Sequence, residues 1–422
     1  MRIIFATYSE KTHFWSMVPL AWALRNAGHE VVVASQPALA DAITATGLTA
    51  VPVGTDHRFH QVMRRTGRLT RDDPLPFDFA RPTEQLSWEY LRDGYRQFVP
   101  WWCRLVNDTM VDDLVGFCQR WRPDLVLWEP VSYAGSIAAT AIGVTHARVM
   151  WSVDLFTRMR RHFLRLGEQQ PADQRCDPLA DWLGTRVGRY GGQFSEVMTT
   201  GHFTIDTVPD SLRHDPRLDL DLDHRYLPMR YIPYNGTSVV PPWLRTPPQR
   251  PRVALTLGTS GSSATERQHG HGPSAAEILR AVAALPVEVV AMLPPSQRDQ
   301  LEAVPDNVRL VDYAPLNVLA PTCAAVIHHG GNGTWSTTLV HGVPQLVLPN
   351  MFDLSVRGRY LADQGAGLTM ESHEVTAAAI GSAVARLLDE PDFARNAARL
   401  ADEMRALPTP RDLVPQIEKL TS

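Results

Sequence analysis

The chain has 422 residues, 44% of them hydrophobic and 20% charged, with a formal net charge of -4. That length suits two domains better than one core, and the composition is that of a soluble globular protein. The scattered charge gives no footprint for nucleic acid, and no apolar run or basic amphipathic stretch suits a bilayer or its surface. Cys103, Cys118, Cys176 and Cys323 lie far apart with no CxxC pair, as in a reduced cytosolic protein. The apolar segment Ile3-Ile4-Phe5-Ala6 is too short for a signal peptide, so the expected location is cytoplasmic.

In chain order, Ile3 to Thr7 reads as a strand. Met17, Val18, Leu20, Ala21 and Leu24 then fall at helical spacing, with Gly28 as a stop. Val31 to Ala34 and Leu48 to Val53 are further strands, a rhythm that predicts a parallel sheet covered on both faces. Residues His57 to Phe98 break the rhythm. A helix is expected from Trp101 to Arg120, a strand at Leu125 to Trp128 and a helix at Ala134 to Ile142. The basic stretch Arg158 to Arg189 is expected on the surface.

Prolines from Pro228 to Pro251 mark a stiff linker and a domain boundary. Beyond it the alternation restarts, with strands at Val253 to Leu257, Val287 to Met292, Val308 to Val311 and Ala324 to Ile327, and a helix at Ala275 to Ala284. Helices at Ala377 to Leu388, capped by Thr376, and at Phe393 to Leu407 follow. Two doubly wound α/β domains are expected.

The most informative segment is His328-His329-Gly330-Gly331-Asn332-Gly333-Thr334, placed between a buried strand and a helix that Gly342 stops. Glycines let backbone approach a ligand closely, and the N–H groups and dipole of a helix start favour an anion such as a diphosphate. A tight turn with incidental histidines is the plain alternative. Neighbouring histidines on a strand end point to opposite sides and make a poor metal chelate.

This segment, continued by Val343-Pro344-Gln345 and Leu348-Pro349-Asn350-Met351-Phe352-Asp353, resembles the donor signature of inverting GT-B glycosyltransferases. The resemblance is strongest to actinomycete enzymes that glycosylate polyketide antibiotics, of the erythromycin desosaminyltransferase kind. Lys11-Thr12-His13-Phe14, Val18 to Ala23, Arg230-Tyr231, Tyr234-Asn235-Gly236, Leu255 to Thr259 and Leu319 to Ala325 carry it over essentially the whole chain. It implies a GT-B fold, two Rossmann-like domains facing a cleft. The expected bounds are 1–235 for acceptor binding and 236–400 for the nucleotide-sugar, with 401–422 packing back on the N-terminal domain.

By the same resemblance, His329, Gly330, Gly331, Asn332, Gly333 and Thr334 hold the diphosphate, with Thr259 and Ser260 lining the pocket. Tyr313 and Ala314 meet the nucleobase, and Asp353 the sugar hydroxyls. Many relatives follow that aspartate with glutamine; Leu354 here suits a deoxysugar, an amino sugar being one option. His13 matches the family's catalytic base, and histidine suits proton removal from an alcohol at neutral pH. Glu129 stands where the family has an aspartate partner, with direct contact left open by its longer arm.

The expected reaction moves a deoxysugar from a TDP-sugar to a hydroxyl of a polyketide-derived aglycone, with inversion and without cofactor or metal. A sugar-nucleotide epimerase and a non-catalytic sugar-nucleotide-binding protein share this architecture and stand as alternatives. The resemblance also brings in an activator resembling a haem-less cytochrome monooxygenase, for which the insertion His57 to Pro82 is the candidate surface, and leaves room for a homodimer. The acidic run Asp219-Leu220-Asp221-Leu222-Asp223 reads as a solvated strand face. Trp88, Trp101, Trp102 and Trp151 are either acceptor-pocket walls or plain core.

Overall fold

The computed structural model describes residues 1–65, 77–213, 217–218, 224–256, 274–293, 295–299, 301, 303–349, 352–371 and 374–421. Thr259, Ser260 and the run 219–223 lie outside the described residues. The chain forms two compact units, the first made of Met1–Val208, Arg213–Arg230 and Pro408–Ser422, the second of Pro209–Leu212 and Tyr231–Leu407.

In the first unit the described strands are β1 (Arg2–Ala6), β2 (Glu30–Ser35), β3 (Thr49–Pro52), β4 (Leu125–Trp128), β5 (Thr145–Val149), β6 (Phe203–Asp206) and β7 (Tyr226–Pro228). They pair in parallel in the order β3-β2-β1-β4-β5-β6-β7. Ile3, Ile4, Phe5 and all of β4 are fully buried, as continuous apolar strands covered on both faces must be. The order reverses between β1 and β4, so the carboxyl ends of these two strands flank the place where such sheets bind ligands. The helix Tyr133–Ile142 crosses them very closely. A Cβ on Gly135 would lie 2.8 Å from those of Ala6 and Trp128, so only glycine lets the helix rest there.

The stretch Arg158 to Arg189 corrects the surface expectation. Within it lie part of the helix Leu155–Glu168 and all of Pro178–Gly188, which bury Arg158, Met159, Arg160, Phe163, Leu179, Trp182 and Leu183. Arginine is tolerated inside because every guanidinium finds acceptors. Arg158 gives hydrogen bonds to the carbonyls of Phe79, Arg81 and Leu218, and Arg160 to the carboxylates of Asp177 and Glu196. A further buried pair, Arg148 with Asp154, joins β5 to the cap of the helix Leu155–Glu168. Asp154 also accepts from Thr157 N–H at 3.0 Å and from the Tyr226 hydroxyl at 2.7 Å. The C-terminal helix Pro410–Thr421 packs on the helix Lys11–Asn26, burying Leu413, Val414 and Ile417.

The second unit repeats the logic. Its described strands are β8 (Arg252–Thr256), β9 (Glu288–Met292), β10 (Val308–Val311), β11 (Ala325–His328), β12 (Gln345–Val347) and β13 (Gly367–Thr369), parallel in the order β10-β9-β8-β11-β12-β13. Side chains alternate across the sheet. Val253, Leu255, Val289 and Ile327 meet the helices Ala275–Ala283 and Ala377–Asp389 on one face, while Ala254, Val290 and Val326 meet Leu244, Ala314 and Leu319 on the other. Thr376 caps the second of those helices by accepting from Ala379 N–H. Here the reversal falls between β8 and β11. Among the described residues no helix is long and apolar enough to cross a membrane.

Candidate active site

His13 enters through the first turn of the helix Lys11–Asn26, which begins just beyond β1 with Glu10 as its cap. Glu129 directly follows β4, so the two emerge on either side of the first reversal point. The structure brings them together, with His13 Nδ1 3.0 Å from Glu129 Oε2. A carboxylate can only accept, so Nδ1 carries the hydrogen and Nε2 the basic lone pair. Glu129 is fully buried while the histidine side chain keeps 18% of its exposure.

Three further donors hold the carboxylate. Trp151 Nε1 donates to Oε2 at 2.9 Å, Val131 N–H to Oε2 at 3.3 Å, and the Ser132 hydroxyl to Oε1. Ser132 stands at the N-cap of Tyr133–Ile142 without capping it, and its oxygen accepts from Tyr8 N–H at 2.8 Å instead. Asn107 fixes the same loop, donating to Val131 C=O and accepting from Ala134 N–H, each at 2.8 Å. Tyr8 and Trp151 press on the imidazole, their rings 5.0 Å and 4.6 Å from its centre. Burial, then Glu10 and Glu129, push the Tyr8 phenol well above its usual range, so this wall stays neutral. Trp101, Trp102 and Phe156 pack against the apolar cluster of Tyr8, Phe59, Val106 and Val131 beside it. Trp88 is core, under Phe163 and Gly167.

In the second unit the glycine turn leaves β11 and opens the helix Asn332–Val340, capped by Gly331. Gly330 has φ +95°, where a side chain would be strained and would also press on Val347 and Leu354. His328 and His329 part company. His328 is fully buried and pins the turn, accepting from Gly330 N–H at 2.9 Å and donating from Nε2 to Gln345 Oε1 at 2.7 Å. His329 is half-buried and lies over Gly331, its Nε2 2.6 Å from where a Cβ on that glycine would be. The N–H groups of Asn332, Gly333 and Thr334 occupy the first helical turn, where no intrahelical acceptor exists. Asn332 Oδ1 accepts from the Ser336 hydroxyl, and Gly333 borders open space.

Asp353, near the start of the helix Phe352–Asp363, pairs with Arg357 at 2.8 Å, and Leu354 beside it is buried. Tyr313 is 42% exposed, its hydroxyl donating to Asn235 C=O, while Ala314 is buried in the core and offers only backbone to a ligand. Thr259 and Ser260 carry no structural account. Sequence reasoning missed Ser132, Arg357 and the role of Trp151 beside Glu129. A serine at a cap position three residues after an acidic residue, and an arginine four after another, were the available signals.

Burial depresses His328 to about 3, with His329 and Arg357 adding to the effect, and burial likewise depresses His146 to about 3. The unfolded chain binds these protons near 6.5 while the folded one refuses them. The stability they contribute is therefore complete above 6.5 and is lost as pH falls towards 3. Each is expected to cost about 1.4 kcal/mol per pH unit well below its unfolded value. Denaturant midpoints that stay constant from neutrality to about pH 5 would contradict this.

A partly exposed histidine paired with a buried carboxylate at one reversal point, and a glycine turn opening a helix at another, on two Rossmann-like sheets, define a GT-B glycosyltransferase. Residues 22–258 and 276–420 match the N- and C-terminal domains of the erythromycin biosynthesis protein CIII-like family. The chain is 47% identical to 10-deoxymethynolide desosaminyltransferase of Streptomyces venezuelae, over 100% of this chain and 97% of that one. It is 43% identical to aclacinomycin-T 2-deoxy-L-fucose transferase of Streptomyces galilaeus, over 100% and 96% respectively. The crystal structure of glycosyltransferase VinC in complex with dTDP superposes with a TM-score of 0.87 at 38% identity, covering 100% and 99% of the two chains. The chain belongs to the erythromycin biosynthesis protein CIII-like family.

Proposed function

We propose that the protein transfers a deoxysugar from a TDP-sugar to a hydroxyl of a polyketide-derived aglycone, with inversion, as a step in antibiotic biosynthesis. The observation that carries this reading is the 3.0 Å contact between His13 and the buried Glu129. His13 Nε2 takes the hydroxyl proton as the oxygen attacks the anomeric carbon, and the bond from that carbon to the diphosphate breaks on the opposite face. Glu129 keeps the Nδ1 tautomer and stabilises the imidazolium that forms. TDP departs into the glycine turn, whose helix N–H groups take the developing charge, so no metal is assigned.

Asp353 accepts from sugar hydroxyls, and the buried Leu354 next to it suits a sugar lacking one. The relatives are named as transferases of deoxysugars, which disfavours the epimerase and binding-protein alternatives. Calorimetry tests the donor half. TDP is expected to bind in the presence of EDTA and in preference to UDP, GDP and NAD, with affinity falling about tenfold or more in His329→Ala. Absent TDP binding, or an unaffected variant, would remove the diphosphate from this turn.

A further inference from the structure

The guanidinium of Arg357 is buried, with 2% of its surface exposed, and it touches both halves of the donor site in the second unit. Nη1 donates to Gly330 C=O at 2.6 Å and Nη2 to Asp353 Oδ2 at 2.8 Å. Nε has no partner among the described residues. Gly330 is thus held at both ends, its N–H by His328 and its C=O by Arg357. The peptide after Gly330 is trans, so its carbonyl and the Gly331 N–H point in opposite directions. Drawing the carbonyl inward to a buried cation turns the Gly331 N–H outward, to the side a ligand approaches. The same cation fixes one oxygen of Asp353 and leaves Oδ1 for a hydroxyl.

We propose that Arg357 is a positioning residue for the donor, aiming the Gly331 N–H at the diphosphate and Asp353 at the sugar with one rigid planar group. This rests on reading the turn as the diphosphate site and Asp353 as the sugar ligand. Lysine would not replace it, because a point charge on a flexible stem cannot hold both acceptors in one plane.

The test uses the full chain, with TDP as the probe and the thermal midpoint recorded alongside. Arg357→Met is expected to weaken TDP binding about tenfold, by loss of one oriented, charge-dependent contact. Asp353→Asn, which keeps a side-chain oxygen to accept from Arg357 Nη2 and removes only the charge at the sugar end, is expected to leave TDP affinity within about twofold of wild type. The double variant removes both charges of the pair. It is expected to regain thermal midpoint relative to Arg357→Met while TDP affinity stays low, and it carries the test by itself if the single variant does not fold. TDP affinity that recovers with the midpoint, or never falls in a folded Arg357 variant, would reduce Arg357 to a counter-charge for Asp353 and overturn the proposal. Wild-type protein that does not bind TDP would overturn the donor reading beneath it, which His329→Ala tests separately.

Discussion

Replacing His13 with alanine is expected to lower kcat by about 10²–10⁴-fold, the usual share of a positioned general base. TDP affinity is expected to stay unchanged, because the proposed role of His13 lies with the acceptor hydroxyl and not with the diphosphate. Single-turnover rates with saturating donor and acceptor measure the loss without interference from product release. The environment argues for a large effect. The imidazole is held on one side by a carboxylate that is itself held by Trp151, Ser132 and Val131, so little reorganisation accompanies proton transfer. A loss below about tenfold would remove His13 from the proton-transfer step. Glu129→Gln separates the two partners, since it keeps the shape while removing the charge that stabilises the imidazolium.

Asp154→Ala is expected to destabilise the first unit by about 3–5 kcal/mol, the cost of leaving a buried cation without its partner. Arg148 lies wholly inside the unit, and its remaining acceptors are the Thr157 and Thr204 hydroxyls and the Thr200 carbonyl, none of them charged. The variant also loses the cap of the helix Leu155–Glu168 and the bond from Tyr226. Removing both charges, as in Arg148→Met with Asp154→Leu, is expected to be milder, because the ion pair and its desolvation cost disappear together. Urea denaturation followed by tryptophan fluorescence reads both. Burial pushes the Asp154 carboxyl up, but Arg148, Thr157 N–H and Tyr226 outweigh it and hold it below 3.8. Its contribution therefore persists above the unfolded value of 3.8 and is lost only at lower pH, beginning at the acid end of the histidine window. A loss under about 1 kcal/mol in Asp154→Ala would show that Arg148 finds solvent on its own.

The central strands were legible because nothing polar interrupts them: Ile3 to Ala6, Leu125 to Trp128 and Val253 to Leu255 are apolar throughout. β5 was not, since Thr145–Val149 carries His146 and Arg148 inward. Their partners, Trp128 and Asp154, lie 18 and 6 residues away in sequence. β12 and β13 have three residues each, too few for any period to register. The stretch Arg158 to Arg189 misled for the reason β5 hid. Composition counts charges and cannot see that Arg158 has backbone carbonyls waiting 60 and 79 residues away. In the site, His13, Glu129 and the glycine turn stood out because each sits where a strand ends. Ser132, Trp151 and Arg357 act on those residues from the side, and only folding shows which neighbour each one meets.

The first unit is not one stretch of chain. Its sheet is complete by Arg230, yet its last helix arrives only after Leu407 and rests on the helix that carries His13. Anyone building hybrids that join the first unit of one such enzyme to the second unit of another therefore faces a three-part exchange. A single crossover in the proline-rich linker pairs His13's helix with a foreign terminal segment, whereas a second crossover near Pro408 keeps the parental contacts of Leu413, Val414 and Ile417 with the element they evolved beside.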